Sequence, residues 1–190
     1  MIHFSKKVFL NKYFSGQILI NDKLKLPDPT NIIEKLPAFS IVVLRHIQPN
    51  KISRIKHICQ KKRILLSIAN NHYLAQKIKS EGFHTKEYNI NNGITKLRQN
   101  KQLIRSTSCH KFTSAMKAQK LGYDFIFYSP IFHTSTHKNS KEIGKIKFNY
   151  QTRKLTLPVI ALGGINTHNI KKLKKLKIKG FAAIEYFKNN

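Results

Sequence analysis

The amino-acid sequence predicts an α/β fold built on a parallel sheet. Short apolar runs recur along the chain, and polar segments of helical pattern lie between them, which is the alternation that builds parallel sheets. Several runs are continuously apolar, for example residues 41–44 and 159–162, as strands covered on both faces are. About eight strand–helix units fit within the 190 residues. Units this short are compatible with a closed barrel if some helices are trimmed.

Eight segments are predicted to be strands, and the fourth is the weakest; they are 17–20, 40–44, 64–69, 82–84, 104–108, 125–128, 159–162 and 181–184. Helices are predicted where apolar residues recur at helical spacing, at 32–36, 51–60, 71–81, 113–121 and 170–176. Lysines cover one side of the last of these helices, as is typical of a solvated helix face. Only six residues follow the eighth strand, so its helix is short or absent.

Residues 17–190 are assigned to one barrel domain and residues 1–16 to a basic N-terminal extension or helix. An open, doubly wound sheet is the alternative architecture, but no G-x-G-x-x-G follows the first strand, as a dinucleotide-binding version requires. The N-terminus lacks the apolar core of an export signal, although its basic character also suits a transit peptide. No run approaches the ~18 apolar residues of a membrane span. Two cysteines fifty positions apart form no disulfide framework, so we expect a cytoplasmic protein without a membrane partner.

The chain is strongly basic. Lys and Arg total 36 and Asp and Glu total 8, which gives a formal net charge of +28. Nucleic-acid binding, anionic small substrates and a general bias toward lysine all account for such a surplus. The lysines are spread over the whole chain, without an aromatic–basic recognition motif, so nucleic-acid binding has net charge alone in its favour. With eight carboxylates in total, a paired-carboxylate hydrolase or an all-oxygen metal cage has few residues to draw on.

The clearest local motif is a hydrophobic strand that runs into Gly163 and Gly164 and then into a helix cap at Asn166. Glycines at such a place let the backbone approach an anion, and their N–H groups can point at phosphate oxygens. The loops after the last two strands of a barrel commonly form a phosphate site. A tight strand-to-helix turn without a ligand explains the same spacing equally well.

Two further polar segments follow predicted strands. Residues 129–138 contain hydroxyls, imidazoles and an ammonium, which donate hydrogen bonds to anions, although a solvated loop has the same composition. Ser108, Cys109 and His110 end the fifth strand. Neighbouring residues of an extended strand point to opposite faces, so we do not expect Cys109 and His110 to act as a nucleophile–base pair. No spacing typical of a zinc site occurs.

Taken in order, these motifs resemble the thiamine-phosphate synthase and thiazole tautomerase superfamily of TIM-barrel proteins. The resemblance implies a trimmed TIM (β/α)8 barrel. The resemblance is specific over residues 104–187 and weaker, but collinear, over residues 17–103. It rests on Ser108-Cys109-His110, Gly122-Tyr123-Asp124, Ser129-Pro130-Ile131-Phe132, Thr134, Thr136-His137, Ile143-Gly144 and residues 158–165 and 180–184.

The resemblance implies a synthase that joins hydroxymethylpyrimidine diphosphate to thiazole phosphate and releases pyrophosphate. Mg²⁺ and basic residues would hold the departing pyrophosphate. Carried over residue by residue, Gly163 and Gly164 would bind the thiazole phosphate through their N–H groups, and the backbone of Ile184 and Glu185 would close that site. Arg45 is the basic residue retained at the end of the second strand.

The resemblance also implies roles for side chains around the diphosphate. Thr134 and Thr136 would contact the thiazole phosphate and the pyrophosphate. His137 or Lys138 would stand where the family has a pyrophosphate-binding lysine, and Ser108 would contact the pyrimidine. The candidate catalytic residues are thus Arg45, Ser108, His137 and Lys138.

Several positions depart from the family's pattern. Asn70 and Asn89 occupy the places of two Mg²⁺-binding aspartates, and a neutral amide is a poorer ligand for a hard cation. Asp22, at the end of the first strand, is the candidate substitute. Glu185 replaces a small hydroxyl residue beside the phosphate, where a carboxylate repels it unless it points away. We therefore expect weak Mg²⁺ binding and weak or absent synthase activity.

Two alternatives of other kinds remain. A tautomerase, or another protein with a phosphorylated ligand, fits the same glycine motif, although Pro130 stands where the tautomerase branch has a catalytic His. A basic protein that binds nucleic acid fits the net charge.

Overall fold

The computed structural model describes residues 5–95, 103–134 and 141–189, and no side chain is described for residues 93–95. Eight parallel strands pair in chain order, and β1 pairs with β8, which closes the barrel. The strands are β1 Gln17–Ile20, β2 Ile41–Leu44, β3 Leu65–Ala69, β4 Gly82–Thr85, β5 Ile104–Cys109, β6 Phe125–Tyr128, β7 Val159–Leu162 and β8 Gly180–Ala183. The predicted TIM-type barrel is confirmed, and the open-sheet alternative is wrong.

Helices lie between the strands and cover the outside of the barrel. They are α1 Lys6–Val8, followed directly by a π-helix at Phe9–Tyr13, then α2 Thr30–Lys35, α3 Pro49–Lys61, α4 His72–Lys77, α5 Ile90–Thr95, α6 Phe112–Lys120, α7 Lys145–Arg153 and α8 Glu185–Lys188. Short 3-10 helices occupy Glu87–Asn89 and Ile170–Leu173. The stub α8 agrees with the expectation of a short last helix. None of the described helices has the length and apolar composition needed to cross a bilayer.

Two predicted helices are shorter in the structure. Residues 71–81 form a helix only as far as Lys77 because Lys79 adopts a left-handed backbone (φ 50°) that turns the chain toward β4. Of residues 170–176 only Ile170–Leu173 are helical, as a short 3-10 helix in which Leu173 is the buried residue. With so little apolar surface to cover, that segment gains little from continuing as an α-helix. Helix α7 was not predicted from the sequence.

The inward-facing side chains differ around the barrel, because alternate residues of each strand point inside. On β1, β2, β6 and β7 they are apolar and form one cluster with Phe9 and Leu10 of the N-terminal helical segment. On β3, β4 and β5 four of them are polar; they are Ser67, His84, Ser106 and Ser108. The interior therefore has an apolar side and a polar side.

The N-terminal segment packs against the barrel. Phe9 and Leu10 are buried in the interior cluster, and the Lys6 ammonium lies 3.3 Å from the Asp124 carboxylate, just before β6. These contacts place the segment at the N-terminal ends of the strands. Residues 6–13 are helical, but the boundary drawn between residues 16 and 17 stays a prediction.

Candidate active site

A cavity of about 100 Å³ lies at the C-terminal ends of the strands, the end at which barrels of this type carry their sites. It is lined by Ile20, Arg45, Ser108, His110, Ser129, Pro130, Thr134, Leu162, Gly163 and Ile184. Five residues proposed from the sequence are thus brought together; they are Arg45, Ser108, Thr134, Gly163 and Ile184. Among the residues that the structure describes, no Asp or Glu lines this cavity.

Arg45 is positioned by a buried asparagine that sequence reasoning missed. Asn21 directly follows β1 and is completely buried. Its Oδ1 accepts hydrogen bonds from the backbone N–H of Arg45 at 2.6 Å and of His46 at 3.3 Å, and its Nδ2 donates to the His46 carbonyl. This clamp fixes the backbone where β2 ends. Within the described chain no carboxylate lies within 4 Å of the Arg45 guanidinium, so the charge is available to a ligand.

Ser108 is held by a second residue that the sequence did not single out. His84 of β4 lies 3.0 Å from the Ser108 Oγ through Nε2 and 3.0 Å from the Ser106 Oγ through Nδ1. Burial, together with the nearby positive charge of Arg45, lowers the pKa of His84 to about 3. The imidazole is therefore neutral at physiological pH.

Cys109 and His110 point in different directions, as the sequence indicated. The Cys109 side chain is buried among the outer core residues, and burial raises its thiol pKa well above the usual range, so it is not a nucleophile. His110 lines the cavity, with Nδ1 3.2 Å from the Ser129 Oγ. Its backbone N–H donates to the Glu87 carboxylate at 3.2 Å.

The glycine pair is required by close packing of the loop after β6. Gly163 and Gly164 have φ values of 99° and 67°, which disfavour other residues. A Cβ on Gly163 would lie 2.6 Å from the Pro130 side chain, and one on Gly164 would lie 2.1 Å from the His133 carbonyl oxygen. In the described part of the chain neither glycine N–H has a protein acceptor. The turn itself therefore requires both glycines, and whether their N–H groups bind an anion stays a prediction.

Comparison with known proteins agrees with this geometry. The sequence model of the thiamine monophosphate synthase family matches residues 48–187. This chain belongs to that family. A relative from Aquifex aeolicus that carries a thiamine-phosphate synthase name is 35% identical over 133 residues, which are 70% of this chain and 71% of the relative. The thiamine-phosphate synthase of Prochlorococcus marinus is 28% identical over 90% of this chain, which spans about half (52%) of that relative.

A solved structure supports the fold. The thiamine phosphate pyrophosphorylase from Pyrococcus furiosus superposes with a TM-score of 0.74, covers 90% of both chains and is 19% identical. At that identity the similarity supports the barrel fold but not the assignment of site residues. The family assignment therefore rests on the sequence matches.

The two residues that follow β8 differ in their relation to the cavity. Ile184 lines the cavity, whereas Glu185 begins α8 and its Oε1 lies 3.6 Å from the Lys25 ammonium. The carboxylate is half-exposed in this pair and does not line the cavity. The Glu185 carboxylate is therefore turned toward Lys25 and away from the cavity.

The family's metal positions do not form a carboxylate site. The Asn70 Oδ1 accepts the backbone N–H of Lys86 at 3.0 Å, and Asn89 ends the 3-10 helix that follows β4. The candidate substitute Asp22 accepts the N–H groups of its own turn, at 3.0 Å and 3.2 Å. All eight carboxylates of the chain lie in described residues, and no three His, Cys, Asp or Glu residues there are grouped to hold a metal. This donor set does not fit Mg²⁺ bound by protein carboxylates.

Three sequence-based assignments lie outside the described residues. They are Thr136, His137 and Lys138. Their assignment to the pyrophosphate stays a prediction, as do the ligand roles of the residues that line the cavity.

Proposed function

We propose that this chain joins hydroxymethylpyrimidine diphosphate to thiazole phosphate in the cavity at the C-terminal end of the barrel, with low Mg²⁺-dependent turnover. The observation that carries the proposal is the lining of that cavity. It presents the Arg45 guanidinium, several hydroxyls and the Gly163 backbone, and none of the eight carboxylates. The family to which the chain belongs supports the choice of substrates.

This lining suits phosphorylated substrates because it offers hydrogen-bond donors and positive charge. A guanidinium binds phosphoryl oxygens in a fixed, bidentate geometry, and Thr134 supplies a hydroxyl. The Gly163 and Gly164 N–H groups lie at the β7 end, where they are suited to bind the thiazole phosphate. Arg45 at the β2 end is then left for the diphosphate.

The reaction needs stabilisation of charge more than it needs a base. The bond between the pyrimidine methylene carbon and its oxygen breaks, and pyrophosphate leaves with the electron pair. The thiazole nitrogen then donates its lone pair to the methylene carbon, which forms the new C–N bond of thiamine phosphate. Arg45 stabilises the negative charge that develops on the leaving oxygen, as preorganised donors do in such transition states. The apolar lining from Ile20, Leu162 and Ile184 limits the access of water to the reactive carbon.

The role of Arg45 is tested by its neutral variant. Arg45→Gln is expected to lower thiamine phosphate formation by about 10- to 100-fold, because one charge-assisted hydrogen bond to the substrate is lost. The matched control is Arg54→Gln, since Arg54 is exposed on α3 and has the same charge. Equal rates for the two variants would show that Arg45 does not take part in the reaction. If the native chain binds thiazole phosphate but forms no product, the tautomerase or phosphate-ligand alternative is favoured instead.

The metal dependence is tested by restoring a carboxylate. Asn70→Asp is expected to increase Mg²⁺-dependent product formation, since Asp tolerates the left-handed backbone of Asn70 (φ 58°) and supplies a charged oxygen. Asn71→Asp is the control, because its side chain caps α4 and Asp caps equally well. A native rate typical of synthases that a chelator abolishes would contradict our reading of the replaced aspartates.

We also propose a cytoplasmic location. Both cysteines of the chain, Cys59 and Cys109, are free and buried, as is common in a reducing compartment. Cell fractionation with an antibody to the chain tests this.

A further inference from the structure

The polar side of the barrel interior contains one buried histidine between two serines. His84 is 4% exposed and stands opposite Ser106 in the pairing of β4 with β5. Its Nδ1 lies 3.0 Å from the Ser106 Oγ, and its Nε2 lies 3.0 Å from the Ser108 Oγ. The Phe127 ring packs nearly perpendicular to the imidazole, with the two ring centroids 4.9 Å apart. The ring is thus fixed in place on all of these sides.

The neutral imidazole has one N–H donor and one acceptor nitrogen. The two tautomers impose opposite directions on the hydrogen bond between Ser108 and His84. If Nδ1 carries the proton, the Ser108 hydroxyl donates to Nε2 and turns only lone pairs to the cavity. If Nε2 carries it, Nε2–H donates to the Ser108 Oγ, and the hydroxyl proton of Ser108 is free to point into the cavity.

Ser106 decides between the tautomers. It is 1% exposed, and within the described chain its Oγ has the His84 Nδ1 as its one hydrogen-bond partner. A buried hydroxyl proton is almost always given to an acceptor in folded proteins. The Ser106 proton can be satisfied only if Nδ1 is unprotonated. The imidazole proton is then on Nε2.

We propose that His84 is a positioning residue which Ser106 fixes as the Nε2–H tautomer, so that Ser108 is a hydrogen-bond donor to the ligand. Ser108 then selects a ligand atom with a lone pair, such as a phosphoryl oxygen or an aromatic ring nitrogen, over an N–H or O–H group. It adds one more donor to those that Arg45, Thr134 and Gly163 present to the cavity. The choice of pyrimidine diphosphate as ligand rests on the proposed function, whereas the tautomer does not.

The tautomer is measured directly by long-range ¹H–¹⁵N correlation spectra of the native chain with ¹⁵N-labelled histidine. Nine histidines are present, and the signal that disappears in His84→Gln identifies His84. We expect the Nε2–H pattern at pH 7 and at pH 5. An Nδ1–H pattern or a charged imidazole at pH 7 would overturn the inference.

Two serine variants separate this role from a purely structural one. Ser106→Ala is expected to release the constraint, so that the spectrum shows a mixture of tautomers and the affinity for hydroxymethylpyrimidine diphosphate falls about two- to tenfold. Ser67→Ala is the control, because Ser67 is an equally buried, inward-facing serine whose Oγ has no partner in the described chain. It should change neither the spectrum nor the affinity.

The outcomes distinguish the two proposals. An Nε2–H spectrum with an affinity loss confined to Ser106→Ala supports the donor role of Ser108, and unchanged affinity would overturn that role. If the diphosphate binds with this pattern but no thiamine phosphate forms, the proposed function fails and the inference about His84 stands.

Discussion

Arg105 and Arg45 lie at opposite ends of the barrel and have different surroundings. At the N-terminal end, Arg105 of β5 donates its backbone N–H to the Asp124 carboxylate at 2.7 Å, and its guanidinium donates to the Gly122 carbonyl at 3.2 Å. The Arg105 Nε lies 3.7 Å from the same carboxylate. At the C-terminal end, Arg45 faces a cavity and has no carboxylate within 4 Å in the described chain.

The difference separates stability from function. Lys6, Asp124 and Arg105 connect the N-terminal segment to two strands, and Phe9 with Leu10 fills the interior at that end. At the other end Arg45 lines the cavity and has no carboxylate partner among the described residues. Barrels of this type commonly divide their two ends in this way.

The largest effect is expected from the apolar closure of the N-terminal end. Phe9→Ala removes a ring that is 6% exposed and should lower the free energy of unfolding by about 3–5 kcal/mol. Urea unfolding measures it, and Val8→Ala is the control because Val8 is 41% exposed. The milder Phe9→Leu, expected to cost about 1 kcal/mol, covers the case in which the Ala variant does not fold. A folded Phe9→Leu variant with much weaker substrate binding would contradict the assignment of stability to one end and binding to the other.

The two arginines allow a direct test of the comparison. Arg105→Gln should lower the free energy of unfolding by about 1–3 kcal/mol, because it removes the positive charge beside the partly buried Asp124 carboxylate and the hydrogen bond to the Gly122 carbonyl. Arg45→Gln should change it by less than about 0.5 kcal/mol, since no protein carboxylate loses its partner. Substrate affinity should show the reverse order. Equal destabilisation by both substitutions would mean that Arg45 also has a structural role.

Most of the strands were predictable from the sequence because they are short apolar runs with a helix or loop after them, whereas β4 and β5 contain several polar residues. Helix α7 was not, because its apolar residues do not lie on one buried face: Ile146 is 86% exposed and Tyr150 is 62% exposed, while Phe148 is buried. Residues 170–176 show the reverse case, in which an apolar stripe at helical spacing formed only the short 3-10 helix Ile170–Leu173.

A site residue was predictable when its position at the end of a strand is enough to place it at the cavity. Arg45, Ser108 and Gly163 end or follow strands, and parallel strands bring such residues to one end. Asn21 and His84 could not be found in this way, because their roles depend on which residues of neighbouring strands stand opposite each other. The contact of His84 with Ser106 follows from the β4–β5 register, which a single sequence does not specify.

The smallest effect is expected from an exposed carboxylate outside the cavity, at the end where Arg45 lies. The Asp28 carboxylate accepts hydrogen bonds from the Lys51 ammonium at 2.6 Å and from Thr30, where α2 begins. These contacts, that of Lys51 first, lower the pKa of Asp28 from its usual 3.8 to about 2. A lowered carboxyl pKa stabilises the folded state above the unfolded pKa, and the stabilisation is lost as the pH falls through the folded pKa.

The contribution of Asp28 is tested by measuring the free energy of unfolding of Asp28→Asn and of the native chain from pH 6 to pH 2. Because the Asp28 side chain is 42% exposed, the variant should lose less than about 1 kcal/mol at pH 6. That loss should persist to about pH 4 and disappear toward pH 2, where the native carboxyl is itself protonated. Glu34→Gln, exposed on the same helix, is the control and should show little difference at any pH. A loss at pH 6 as large as that of Arg105→Gln would show that ion pairs outside the cavity stabilise both ends equally, and only the surroundings of Arg45 would then distinguish them.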